Sequence, residues 1–145
     1  MRVLSIVFLT LLLIFIISYS HGAAAQKQNE IDAWLNKISG SKSPEIDITG
    51  RWQDAQGSGM LTWGEGHLRQ EKAKVSGAMG SYHIKGVVSG KIVYLVFLYK
   101  DAVYYTARLE LFQGLLTGNY FKGKDREQKW GYPVSFTKIV EPPKQ

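Results

Sequence analysis

No cysteine occurs in this chain of 145 residues, and proline is scarce, with four residues. Without thiols there is no disulfide framework, no thiolate nucleophile and no cysteine-bound metal. An acyl anchor on a leading cysteine is excluded as well, so stability must come from a buried apolar core. Histidine is nearly as rare, with only His21, His67 and His83, too few for a convincing metal site in the absence of cysteine. The 12 acidic residues are scattered, and no two stand at a spacing that would present a carboxylate pair to one substrate. A Gly-x-Ser-x-Gly nucleophile turn is missing. The run GNYFKGKD (118–125) has the glycines and lysine of a phosphate-binding loop but carries Asp125 where a serine or threonine must reach the magnesium ion. These absences lead to the expectation that the protein is not an enzyme and holds no cofactor and no metal.

What is present begins with charge of one sign. Eighteen Lys and Arg give a formal net charge of +6. The basic residues are interleaved with acids and lack the clustered stripe with aromatics that tracks a phosphate backbone, which argues against nucleic acid. At the N-terminus, Arg2 precedes residues 3–19 (VLSIVFLTLLLIFIISY), which carry no charge, and Ala23 and Ala25 offer the small residues that signal peptidase accepts. Residues 1–25 therefore read as a signal peptide and the remainder as a secreted or periplasmic chain. The alternative is membrane anchoring by residues 3–19, whose length falls just short of the roughly 20 residues that span a bilayer.

Residues 26–45 read as a short helix and linker. Ile31, Trp34, Leu35 and Ile38 lie on one face at helical spacing, and SGSKSPE (39–45) has linker composition. From Ile46 the period changes to two, with turn residues about every ten positions. The predicted strands are 48–53, 59–63, 66–71, 74–79, 81–88, 91–99, 103–111, 114–121 and 134–140. In the seventh, Tyr105, Ala107, Leu109 and Leu111 share one face and Tyr104, Thr106, Arg108 and Glu110 the other. The run KIVYLVFLY (91–99) is apolar on both faces, so it should be the most central strand or one whose outer face is covered by the helix.

An apolar–Ser/Thr–Gly tripeptide recurs at Ile48-Thr49-Gly50, Val75-Ser76-Gly77, Val88-Ser89-Gly90 and Leu116-Thr117-Gly118. Glycine within a strand fits a sharp bend or a close backbone approach, as where a twisted sheet coils into a small barrel. Gly50 and Gly118 are expected to be such corners; Gly90 reads equally well as a hairpin turn. The stretches ITGRWQDAQGS and LTGNY resemble strand openings of the avidin family, and Gly-x-Trp in a first strand is similar to the lipocalin pattern. SFTKIVEPP also looks like the last avidin strand and its exit. The resemblance covers residues 48–140 and implies a calycin-like fold for the barrel domain, residues 46–145. No Trp-Leu pair and no late buried aspartate stand at the positions that hold biotin in avidins, so it implies the barrel and not biotin.

The fold expected is all-β, an antiparallel up-and-down β-barrel of about eight strands preceded by a short amphipathic helix. Such a barrel is just wide enough to be filled by side chains or to hold one small ligand. The chain is rich in large rings, which leads to the expectation of non-covalent binding of a small hydrophobic or aromatic molecule at the barrel mouth. Trp52, Ser58, Trp63, Tyr82, Tyr94, Tyr105 and Tyr120 are the candidate ligand-binding residues, with Gln70 as a further polar lining group. The alternatives are an interaction or inhibitor barrel acting on an exported protein partner, its basic charge suited to an acidic one, or a membrane-tethered structural domain.

Overall fold

The computed structural model describes residues 29–38, 41–55, 63–123 and 131–140. The proposed signal segment, Ser58, most of the predicted 59–63 strand and the charged residues after Gly123 lie outside that set. The chain divides into two compact units, Met1–Trp34 and Leu35–Gln145.

Helix α1 spans residues 29–38 and is amphipathic as the spacing predicts. Ile31 and Leu35 are buried and Glu30 and Lys37 are exposed. Its C-terminal end is capped by Ser41, whose backbone N–H and hydroxyl both donate to the Ile38 carbonyl at 3.0 and 2.8 Å; a helix end without such partners leaves carbonyls orphaned.

Eight strands follow: β1 (Gly50–Asp54), β2 (Glu65–Glu71), β3 (Lys74–Met79), β4 (Tyr82–Ser89), β5 (Ile92–Tyr99), β6 (Ala102–Phe112), β7 (Leu115–Lys122) and β8 (Tyr132–Lys138). Each pairs antiparallel with the next, and β1 pairs with β8 to close the barrel. Closure leaves no unpaired sheet edge. Trp63, placed by its sequence in a strand, precedes β2 and belongs to none.

Alternation along each strand sets what fills the barrel. Trp52, Leu68, Met79, Leu95, Phe97, Leu109, Leu116 and Phe136 point inward and are fully buried. Glycines stand opposite several of them: Gly66 faces Trp52 and Met79, and Gly118 faces Leu109 and Val134. At Gly118 a Cβ would overlap the Arg108 carbonyl oxygen on β6, so the close backbone approach expected there is realised. Gly90 lies in the β4–β5 turn at φ +61°, a left-handed conformation that glycine adopts freely.

The doubly apolar strand is indeed buried on both sides. Val96 and Leu98 of β5 face outward, as do Val87 of β4 and Thr106 of β6, and all four are out of solvent. The end of the barrel formed by the β2–β3, β4–β5 and β6–β7 turns is closed by the incoming chain. There the Gln70 amide donates to the carbonyls of Ile46 and Lys72, both at 2.9 Å, and its oxygen accepts from the Ile48 N–H at 3.1 Å. The Trp52 indole N–H donates to the Ile48 carbonyl at 2.8 Å. Residues 41–45, a linker by composition, are fastened too: the Glu45 N–H donates to the Gly90 carbonyl at 2.9 Å, and the Ser41 and Ser89 hydroxyls meet at 2.6 Å.

Candidate functional site

The β1–β2, β3–β4, β5–β6 and β7–β8 connections lie at the opposite end, and there the rings converge. Trp63 enters just before β2, its N–H donating to the Asp54 carboxylate at 3.3 Å. Its indole is buried against Phe97, Tyr105 and Tyr120, with ring centroids 4.5, 5.0 and 5.1 Å away. Trp63 is therefore both the lid of the filled interior and the floor of what lies outside it. That is a cleft of about 390 Å³ lined by Trp63, Gly64, Gly80, Ser81, Tyr82, Tyr99 and Tyr104.

Local chain geometry brings the tyrosines of β5 and β6 to this cleft. The β5–β6 turn is made by Lys100 and Asp101 at φ +49° and +60°, the left-handed pair of a tight hairpin, although neither residue is glycine or asparagine. Two residues further on the register slips: Leu98 pairs with Val103 but Phe97 pairs with Tyr105, leaving Tyr104 as an extra residue. A bulge of this kind bends the strand and re-aims a side chain, and bulges are frequent at barrel rims. Tyr104 and Tyr105, which strict alternation assigns to opposite faces, consequently have ring centroids only 6.2 Å apart. Tyr104 reaches Tyr82 at 6.2 Å and Tyr99 at 5.6 Å, while Tyr105 packs under Tyr82 at 5.7 Å.

The cleft is polar in a particular way. Burial, followed by the neighbouring Tyr105 phenol and then by Tyr104 and Tyr99, raises the Tyr82 hydroxyl above the ordinary tyrosine value. Burial likewise raises Tyr120, with Tyr105 and Tyr132 adding to it. These phenols are neutral at pH 7 and serve as hydrogen-bond donors and acceptors. Cations stand around the same end, with Lys100 Nζ 5.4 Å from the Tyr99 ring centre and Lys122 Nζ 5.1 Å from that of Tyr132. Among the described residues, those lining the cleft carry no ionised side chain. Among the described residues no three of His, Asp and Glu converge as a metal site would require. His67 and His83 are exposed on outward positions of β2 and β4. The arrangement can stack a ring and exchange hydrogen bonds with it.

Of the residues singled out by sequence, Trp63 and Tyr82 line the cleft, and Tyr105 and Tyr120 support it from below. Trp52 is wholly buried towards the closed end, and Gln70 ties down the incoming chain there instead of facing a ligand. Tyr94 lies on the outward face of β5, opposite Val87 and Arg108. Ser58 is outside the described residues. Sequence reasoning missed Tyr99, Tyr104, Ser81, Gly64 and Gly80. No periodic signal marks Tyr104, because the bulge that delivers it is a fault in the period.

Comparison with protein families, with characterised proteins and with solved structures yields no match to this chain. Functional inference accordingly rests on the geometry of the cleft.

Proposed function

We propose that this chain is an exported binding barrel, without catalytic activity, that holds a small ring-shaped molecule non-covalently in the cleft at its open end. The observation that carries the reading is the convergence of Trp63, Tyr82, Tyr99 and Tyr104 around about 390 Å³ of open space, directly above an interior already filled by side chains. That volume falls at the small end of ligand sites, which run to about 300–1,000 Å³. The ligand sits on the barrel and not inside it, because Trp63 and the rings beneath it occupy the axis. A calycin-like relationship would fit the barrel and its first-strand tryptophan, but the site is argued from its rings alone.

The test is extraction and mass spectrometry of protein recovered from its own exported fraction, paired with Tyr104→Ala. The expected result is a small molecule recovered in near-stoichiometric amount with the natural protein and lost from the variant. Recovery of a stoichiometric protein partner with no small molecule would instead favour the rival reading, an interaction barrel. The observation behind that rival is the exposure of Tyr104 and Tyr132, at 45% and 49%, since exposed tyrosines are typical anchors of protein interfaces.

A further inference from the structure

We propose that the ring held at the open end is a polyhydroxylated one, a saccharide, with Tyr104 as its stacking platform and the Tyr82 and Ser81 hydroxyls as its polar partners. This rests on the reading of the cleft as a small-molecule site and names the class of molecule.

The shape of the site is the first argument. Apolar ligands gain affinity in proportion to the area they remove from water, and sites built for them enclose most of the ligand. Here the rings that would line a deep pocket are packed against one another: Trp63 against Phe97, Tyr105, Tyr120 and Phe136, all within 6.1 Å between centroids. What remains is a shallow cleft whose outer rings are wet, with Tyr99 36% and Tyr104 45% exposed. A purely apolar molecule lying there would keep much of its surface in water. A pyranose loses little by this, because its rim of hydroxyls is solvated in any case and only its C–H face needs cover.

The chemistry of the lining is the second argument. Aromatic faces alternate with neutral hydroxyls on Ser81 and the tyrosines, and Gly64 and Gly80 bring bare backbone to the wall. Among the described residues, the side chains lining the cleft are uncharged. Ammonium groups already lie over Tyr99 and Tyr132 at the same end, which disfavours a cationic ligand. Neutral ring faces combined with neutral donors and acceptors match a sugar, whose own surface has the same two components.

The bulge in β6 points the same way. A regular β6 would turn Tyr104 to the outer face, with Thr106 and Arg108. The extra residue at Tyr104, next to a turn whose two central residues both take left-handed backbone without being glycine, sets the ring across the cleft mouth. Irregularities of this sort persist where the aim of a side chain matters.

The experiment uses the full chain with cellobiose, maltose and chitobiose as probes and with indole and 2-naphthol as flat aromatic comparators, read by isothermal titration calorimetry and saturation-transfer NMR. At least one disaccharide is expected to bind with saturation reaching its ring C–H protons. Tyr104→Ala should weaken it about tenfold or more and Tyr104→Phe only slightly, since the ring is kept. Tyr82→Phe and Ser81→Ala should each weaken the disaccharide several-fold while leaving any indole binding unchanged. If indole or 2-naphthol binds in a Tyr104-dependent way and no disaccharide does, the saccharide assignment is overturned and the small-molecule reading stands. If none of the five probes binds, the saccharide assignment is overturned as well, and the extraction experiment alone decides the broader reading. Because Tyr104 is largely exposed, its variants should fold; unchanged far-ultraviolet circular dichroism checks this.

Discussion

At the scale of single residues, two polar side chains do different work at the two ends of the barrel. Gln70 satisfies the Ile48 N–H and the Ile46 carbonyl at once, so it replaces the ladder partners that the incoming chain lacks. Gln70→Ala orphans both groups and is expected to lower unfolding free energy by about 1–3 kcal/mol, measured by urea denaturation with an unchanged slope. Tyr82 is the counterpart at the open end, where burial and neighbouring phenols raise its pKa above 10.0. A folded-state value higher than the unfolded one means that the neutral phenol is favoured by folding. The associated stability is complete below pH 10 and is lost as the pH rises through the folded value. Phenolate absorbance during alkaline titration should therefore show a late-titrating class, for which Tyr120 is the other candidate. Tyr82→Phe should remove part of it, and an unchanged late phase in that variant would contradict the assignment.

At the scale of elements, glycines and turns set the curvature of the strands. Gly118 allows β7 to approach the β6 backbone so closely that any side chain would strike the Arg108 carbonyl. Gly118→Ala should accordingly destabilise by about 1–3 kcal/mol or more, seen as a lower thermal midpoint. The β6–β7 turn offers the opposite opportunity. Gln113 sits at φ +50° beside Gly114 at φ +80°, and the residue best suited to that first position is asparagine. Gln113→Asn should raise stability by about 0.5–1 kcal/mol, because asparagine tolerates the left-handed backbone better than glutamine does. The turn lies at the closed end, so ligand binding should be unaffected; urea denaturation checks the first statement and the calorimetric titration the second.

At the scale of the whole molecule, closure and burial are unevenly distributed. β5 is covered on both faces, whereas β1 is five residues long and pairs with β8 at three register positions, Trp52, Gln53 and Asp54, flanked by the hydrogen bonds Ile139 N–H to the Arg51 carbonyl and Ala55 N–H to the Ser135 carbonyl, both at 2.9 Å. Local opening should start where buried apolar contact is least. Amide hydrogen exchange is expected to be slowest in β5 and fastest along the β1–β8 seam; the reverse order would show that closure, not the central strands, holds the barrel together. Much of this architecture was legible in the sequence. The short helix before residue 39, the period-two strands and the doubly apolar β5 follow from local preference and side-chain alternation, which neighbouring residues express without knowledge of the rest of the chain, and the recurring Ser/Thr-Gly pattern marked Gly118 as a position where a side chain is not wanted. The candidate site was legible only in part. Trp63 and Tyr82 could be named because large rings must go somewhere in so small a barrel. The bulge at Tyr104, the diversion of Gln70 to the closed end and the choice between a hollow and a filled interior depend on cross-strand register and on how residues far apart in the chain fill one volume. Those are decided by contacts that exist only once β1 has met β8.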